Sequence, residues 1–182
     1  MSGKSTDSIR DSSAPTDDHF VIEAPEPSDG AHLWRIARDC GQLDLNSSYA
    51  YLLWCRDFRQ TSAVARTGAE VAGFITGYRR PERPDTLLVW QIAVDERWRG
   101  RGLAATLLDQ LLDRVVRTGV RYLETTVTSD NVVSNRTFDS LARRWGVPCS
   151  RTELFAADAF PHHHDPEVLH RIGPFEPAPA LS

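Results

Sequence analysis

Gln91-Ile92-Ala93-Val94-Asp95-Glu96-Arg97-Trp98-Arg99-Gly100-Arg101-Gly102-Leu103-Ala104 is the stretch on which the fold turns. An apolar run suited to a strand meets a turn with two glycines, and a helical pattern begins at once. The first N–H groups of a helix have no intrahelical acceptor. Together with the helix dipole they form an anion site suited to a pyrophosphate. Gly100 and Gly102 allow the backbone to approach such a ligand without a Cβ in the way. Arg97, Arg99 and Arg101 add positive charge at the same place. The P-loop pattern Gly-x-x-x-x-Gly-Lys-Ser/Thr is absent, and so is the third glycine of a dinucleotide-binding turn. The plain alternative is an ordinary helix N-terminus with basic capping.

Downstream, Leu103, Leu107, Leu108, Leu111, Leu112 and Val115 form a helical stripe within residues 101–117. Tyr122–Thr128 reads as a strand, Asn131–Trp145 as a helix, and Thr152–Phe155 and Val168–Ile172 as further strands. Upstream, Thr61–Arg66, Glu70–Arg79 and Asp85–Val94 read as strands in an antiparallel meander, turned at Gly68 and at Pro81–Pro84. Two helices precede them. One follows Ser28 or Asp29 as cap and ends at Gly41; the other starts near Asn46-Ser47-Ser48 and carries Tyr49, Leu52, Leu53 and Phe58. Phe20–Ile22 suits a first strand. A meander followed by a β–α–β crossover predicts an α+β fold, a mixed twisted sheet flanked by helices.

The chain has 182 residues, with 21 Lys+Arg against 25 Asp+Glu and a net charge of −4. That length suits one domain of ~100–200 residues. Residues 1–18 are rich in Ser, Thr and Asp and read as a disordered tail, leaving 19–182 as a single domain. The acidic balance argues against a nucleic-acid or membrane-surface partner, and no apolar run approaches the ~20 residues of a membrane span. Cys40, Cys55 and Cys149 lack metal spacing and suit buried apolar positions in a reducing, cytoplasmic setting.

Arg97-Trp98-Arg99-Gly100-Arg101-Gly102 resembles the (Gln/Arg)-x-x-Gly-x-(Gly/Ala) motif of the Gcn5-related N-acetyltransferases, or GNAT superfamily. Asn131-Val132-Val133-Ser134-Asn135-Arg136-Thr137-Phe138 resembles its Asn-x-x-Ala-x-x-Leu-Tyr segment. Leu43–Leu53, Phe74–Tyr78, Pro84-Asp85-Thr86 with Trp90-Gln91, Leu123–Thr126, and His164–Glu167 through Phe175 resemble the acetyltransferases that act on L-2,4-diaminobutyric acid in ectoine biosynthesis. The likeness covers roughly residues 20–176. It implies the acyl-CoA N-acyltransferase fold, acetyl-CoA as co-substrate, a small diamine as acceptor, no metal, and a homodimer. It also implies that backbone groups of Ile92, Ala93 and Val94 pair with the pantetheine, and that the Arg99, Gly100, Arg101, Gly102, Leu103 and Ala104 segment holds the pyrophosphate. Asn131 falls on the family's cofactor-contacting asparagine. The family's tyrosine, which often protonates the leaving thiolate, is Phe138 here, so water, another group or no acid at all must serve; a thiol pKa of only ~8.5 makes the last tolerable.

Aminolysis of a thioester needs a neutral amine, whereas a free alkylamine has a pKa near ~10. The site must remove that proton and stabilise an oxyanion, for which a backbone N–H near Val94 is the expected donor. Asp44 and Glu124 are the candidate catalytic groups. Asp44, Trp90, Glu124, Asp165 and Glu167 are the candidate substrate contacts. Each has a plainer reading: Asp44 as a helix cap, Trp90 as core packing, Glu124 as a solvated strand position, Arg171 as a structural ion pair. An acid in a central strand needs a partner, which weighs against the plain reading of Glu124. His162-His163-His164-Asp165 looks metal-binding, but consecutive loop residues rarely converge on one ion, and a substrate-proximal loop is expected. An acetyltransferase of another small amine, or a non-catalytic acyl-CoA-binding module, would share most of these features.

Overall fold

The computed structural model describes residues 19–176; the tail expected over 1–18 lies outside the described residues. The strands are β1 (Val21–Glu23), β2 (Ala63–Thr67), β3 (Glu70–Arg80), β4 (Arg83–Val94), β5 (Tyr122–Thr128), β6 (Cys149–Phe155) and β7 (Glu167–Ile172). The helices are α1 (Gly30–Cys40), α2 (Ser48–Asp57), α3 (Leu103–Val116) and α4 (Val132–Trp145). The strands form one sheet in the order β1-β2-β3-β4-β5-β7-β6. All pairs are antiparallel except β4 with β5. The mixed sheet flanked by helices expected from the sequence is therefore present, with seven strands and helices on both faces.

Local chemistry sets the element ends. Ser47 caps α2, its Oγ accepting from the Ala50 N–H at 3.3 Å, so the capping alternative for Asp44 does not hold. Asp29 precedes α1 as expected, yet its carboxylate does not cap the helix; it accepts from the Glu26 N–H and from Arg66. Gly41 closes α1 at φ +66°, in the left-handed region that favours glycine.

Two apolar layers hold the helices on. Leu107, Leu108, Leu111 and Leu112 of α3 are fully buried against Ile75, Leu87 and Val89. Burying one such side chain contributes roughly 1.5–3 kcal/mol. Leu33, Ile36 and Tyr51 of α1 and α2 pack on the other face against Val64, Phe74 and Ala93.

The β3–β4 register contains the feature that shapes the site. Thr76 lies opposite Gln91, but Gly77 lies opposite Val89, so Trp90 is an extra residue in β4. Such a bulge shifts side-chain alternation by one. Leu87 and Val89 before it, and Ile92 and Val94 after it, all face the α3 layer. β4 and β5 then pair only from Thr86–Tyr122 to Leu88–Glu124. Beyond Leu88 the two strands part.

Asp95, just past β4, is nearly buried and tied to Arg97 and to Arg35, the latter at 2.8 Å. Burial alone would raise its pKa, but hydrogen bonds from Arg97 and Arg35 outweigh that and hold it at about 2. A carboxylate depressed on folding stabilises the protein above its unfolded pKa of ~3.9 and loses that effect as pH falls through the folded value. Asp95→Asn should therefore cost about 2 kcal/mol in urea unfolding at pH 7, with the gap to wild type closing toward pH 2. Equal unfolding midpoints at pH 7 would exclude this coupling.

Candidate active site

The parted strands open a cavity of about 750 Å³. Asp44, Trp90, Ile92, Glu124, Asn131, Asp165 and Glu167 all line it, although they come from six separate segments. Ala93, Val94 and the Arg99–Ala104 turn do not line it; they continue from the end of β4.

The backbone direction along β4 follows from one contact. The Asp95 N–H donates to the Ala72 carbonyl of β3 at 2.9 Å. By strand alternation Ala93 and Gln91 also turn their amides toward β3, whereas Ile92 and Val94 turn theirs away, toward the gap. Ile92 and Val94 thus offer main-chain groups where no β5 partner exists. Ala93, expected to do the same, faces β3 instead, because adjacent strand residues point opposite ways. The Val94 carbonyl already accepts from Arg99 Nε at 3.2 Å, which leaves its N–H facing the gap.

The glycine turn has the form expected of an anion cradle. Gly100 and Gly102 lie at φ +77° and +73°, and no side chain caps α3. Its first amides therefore point outward unpaired by a cap. The positive charge is thinner than the sequence implies, because Arg97 is paired with Asp95 and with Glu70 at 2.8 Å. Arg101 lies over the Trp98 ring, 4.9 Å from its centroid. This turn and the exposed amides of β4 fit a pyrophosphate with an extended tail. Asn131 caps α4, its Oδ1 accepting from the Ser134 N–H at 3.0 Å, and stands at the cavity wall on the α4 side.

On the opposite face of the sheet the acids gather. Glu124 is buried at 1% exposure, and each of its oxygens accepts from an arginine: Oε2 from Arg80 at 2.7 Å, Oε1 from Arg171. It is neither solvated nor open as a base, since both oxygens are engaged; it holds guanidinium groups, and Arg171 is an ion-pair residue. Trp90 is half exposed and walls the cavity rather than filling the core. Glu167 has one oxygen, Oε2, buried without a partner, and the other 3.7 Å from His164 Nε2. A buried unpaired carboxylate oxygen is costly unless something cationic or protic meets it.

The histidine run does not converge on an ion, and no group of three metal-ligating side chains is arranged for one among the described residues. His164 stacks face to face on Phe160, with centroids 4.0 Å apart, and His163 and His164 both line the cavity. Phe138 is buried at the cavity wall with no hydroxyl to offer. Burial pushes the Cys55 thiol up to about 12 and also raises Cys149, so neither is a ready nucleophile.

Sequence reasoning missed Arg80 and the brace behind Asp44. In that brace the Tyr51 hydroxyl donates to Gln91 Oε1 at 2.9 Å, and Gln91 Nε2 donates to the Asp44 carbonyl at 2.8 Å. The α1–α2 loop is thereby pinned to β4 beside the gap. Gln91→Leu should free Asp44 and raise KM for the acceptor about fivefold or more, ~1 kcal/mol, with little change in CoA affinity. Unchanged steady-state kinetics would remove the brace from the site.

Comparison with known proteins agrees with this geometry. The Acetyltransferase (GNAT) family profile matches residues 30–142. The L-2,4-diaminobutyric acid acetyltransferase of Streptomyces coelicolor is 62% identical over 156 residues, covering 84% of this chain and 92% of that protein. That of Halomonas elongata is 44% identical over 158 residues, covering 86% and 82%. The solved structure of the diaminobutyrate acetyltransferase from Paenibacillus lautus, in complex with its substrate L-2,4-diaminobutyric acid and coenzyme A, matches with a TM-score of 0.83 at 38% identity, covering 88% of this chain and 98% of that one. A split sheet with a glycine turn at its fourth strand and an acid-lined cavity beside it thus occurs in a chain that belongs to the GNAT acetyltransferase family, in its diaminobutyrate acetyltransferase branch.

Proposed function

We propose that the chain transfers the acetyl group of acetyl-CoA to the γ-amine of L-2,4-diaminobutyrate, giving N4-acetyl-L-2,4-diaminobutyrate, the compound cyclised to ectoine. The observation that carries this is the gap between β4 and β5. It joins main-chain groups of Ile92 and Val94 that lack a β5 partner to a cavity walled by Asp44, Asp165 and Glu167. Acetyl-CoA supplies an activated acetyl thioester. The α3 amides around Gly102 would hold its pyrophosphate, Ile92 and Val94 its pantetheine, and Asn131 stands beside them.

The chain's own groups account for the rest. The acids draw in an ammonium and favour a cationic acceptor over an anionic one. The unpartnered Oε2 of Glu167 is the best-placed oxygen to accept an ammonium hydrogen. Asp44, exposed at the cavity rim, takes the proton through water, because no cap or ion pair among the described residues engages it. The Val94 N–H faces the region where negative charge develops on the carbonyl oxygen. Phe138 provides no proton, so the thiolate leaves with solvent as its acid. Three free thiols suit a reducing cytoplasm. A homodimer would bury Leu154 and Phe155, which are half exposed on the β6 edge; sedimentation as a monomer at micromolar concentration would argue against it.

Thiol release from acetyl-CoA, measured with diaminobutyrate, ornithine, lysine and spermidine, should show diaminobutyrate preferred. A preference for spermidine would point to a polyamine enzyme, and no release with any amine to a non-catalytic module. Asp44→Ala should cut kcat/KM for diaminobutyrate at least tenfold, about 1.4 kcal/mol. An unaltered kcat/KM would take Asp44 out of the site.

A further inference from the structure

The Glu124 cluster is built for more than neutralising one buried acid. Two arginines serve a single carboxylate, so the cluster carries a surplus positive charge. One arginine would suffice for Glu124 alone, and desolvating a second guanidinium costs free energy unless an anion repays it. Of the two, Arg80 lines the cavity and Arg171 does not; the cavity's other charged walls, Asp44, Asp130, Asp165 and Glu167, are acidic, with His163 and His164 beside them. Both guanidiniums are held in position. Arg171 lies flat over the Tyr122 ring, 3.8 Å from its centroid. Arg80, at the end of β3, lines the cavity with about a third of its side chain exposed.

The register sets the geometry. Leu88, Glu124 and Arg171 lie side by side across β4, β5 and β7, at the last pair before the strands part. Glu167 lies on the same face of β7, four residues from Arg171, about 13 Å along the strand. Arg80 meets Glu124 at the Arg171 end of that span, so the cavity presents a carboxylate at one end and a guanidinium at the other, which suits a small molecule with an ammonium and a carboxylate. Each arginine commits one Nη to Glu124, and a guanidinium has five N–H donors in a planar fork matched to a carboxylate.

We propose that Arg80, oriented by the Glu124 carboxylate that Arg171 braces from the other side, forms the receptor for the carboxylate of the acceptor, and so restricts the enzyme to amino acids over plain diamines. This rests on the acetyltransferase reading above and adds the basis of its selectivity. Arg80 is then a substrate-binding residue, and Glu124 and Arg171 are positioning residues that act through it.

The test compares L-2,4-diaminobutyrate with 1,3-diaminopropane, the same diamine without the carboxylate. In the wild type kcat/KM should favour diaminobutyrate. Arg80→Gln should shrink that preference at least tenfold, mainly through KM for diaminobutyrate, and Arg80→Lys should restore part of it. A loss of equal factor for both amines, or no loss, overturns the proposal. A second measurement needs no variant: L-2-aminobutyrate should inhibit the wild type at least tenfold more strongly than propylamine, which lacks only the carboxylate. Equal inhibition overturns the proposal too. A wild type that acetylates diaminobutyrate yet fails these comparisons refutes the receptor alone. One that acetylates neither diamine refutes the acetyltransferase reading, and the receptor with it.

Discussion

The site depends on one interruption of hydrogen bonding. β4 and β5 share a short parallel ladder and then separate, and the extra residue at Trp90 falls where they do so. A backbone amide without a partner must be satisfied by water or by a ligand. The amides of Ile92 and Val94 are therefore not a defect but a free strand edge, placed inside the sheet rather than at its rim. An extended ligand can complete that edge, as in strand-addition recognition generally. The bulge also explains how β4 keeps apolar side chains toward α3 on both sides of the break. Without the shift in alternation, either the core or the exposed edge would have been lost.

Charge is divided along the same break. On the α3 side, helix-start amides and the glycine turn favour an anion, while Arg97 is neutralised by Asp95 and Glu70 and serves the turn's rigidity. On the other face, acids from the α1–α2 loop and from the segment leading into β7 face the cavity, and Arg80 marks its far end. A molecule carrying both signs can be oriented by such a layout before any chemistry begins, at lower entropic cost than one held by a single contact.

Much of the fold was legible in the chain. The leucine stripe of α3, the strand Tyr122–Thr128 and the Gly41 stop each carry a local signal strong enough to survive in the structure. The glycine turn was legible because positive φ and an uncapped helix start leave a mark on composition. Candidate acids were legible as types, and all four of them meet in one cavity. Arg80 was not, because in Tyr78-Arg79-Arg80-Pro81 it looks like any basic residue near a turn. Its partner Glu124 lies 44 residues away. Gln91 was invisible for a similar reason, since its role comes from Tyr51 and the Asp44 carbonyl, both distant in sequence. The backbone facing of Ala93 needed the β3 register, which no local pattern encodes.

By itself, the sequence determined the order of helices and strands, the glycine turn ahead of α3 and the presence of the candidate acids, because these arise from contacts within a few residues. The tertiary structure decided that β7 inserts between β5 and β6, and that Arg171 consequently lies against Glu124. It also decided which amides along β4 are free and which of Glu167's oxygens lacks a partner. Those outcomes depend on strand pairing across long separations, where one residue of register reverses every direction at once.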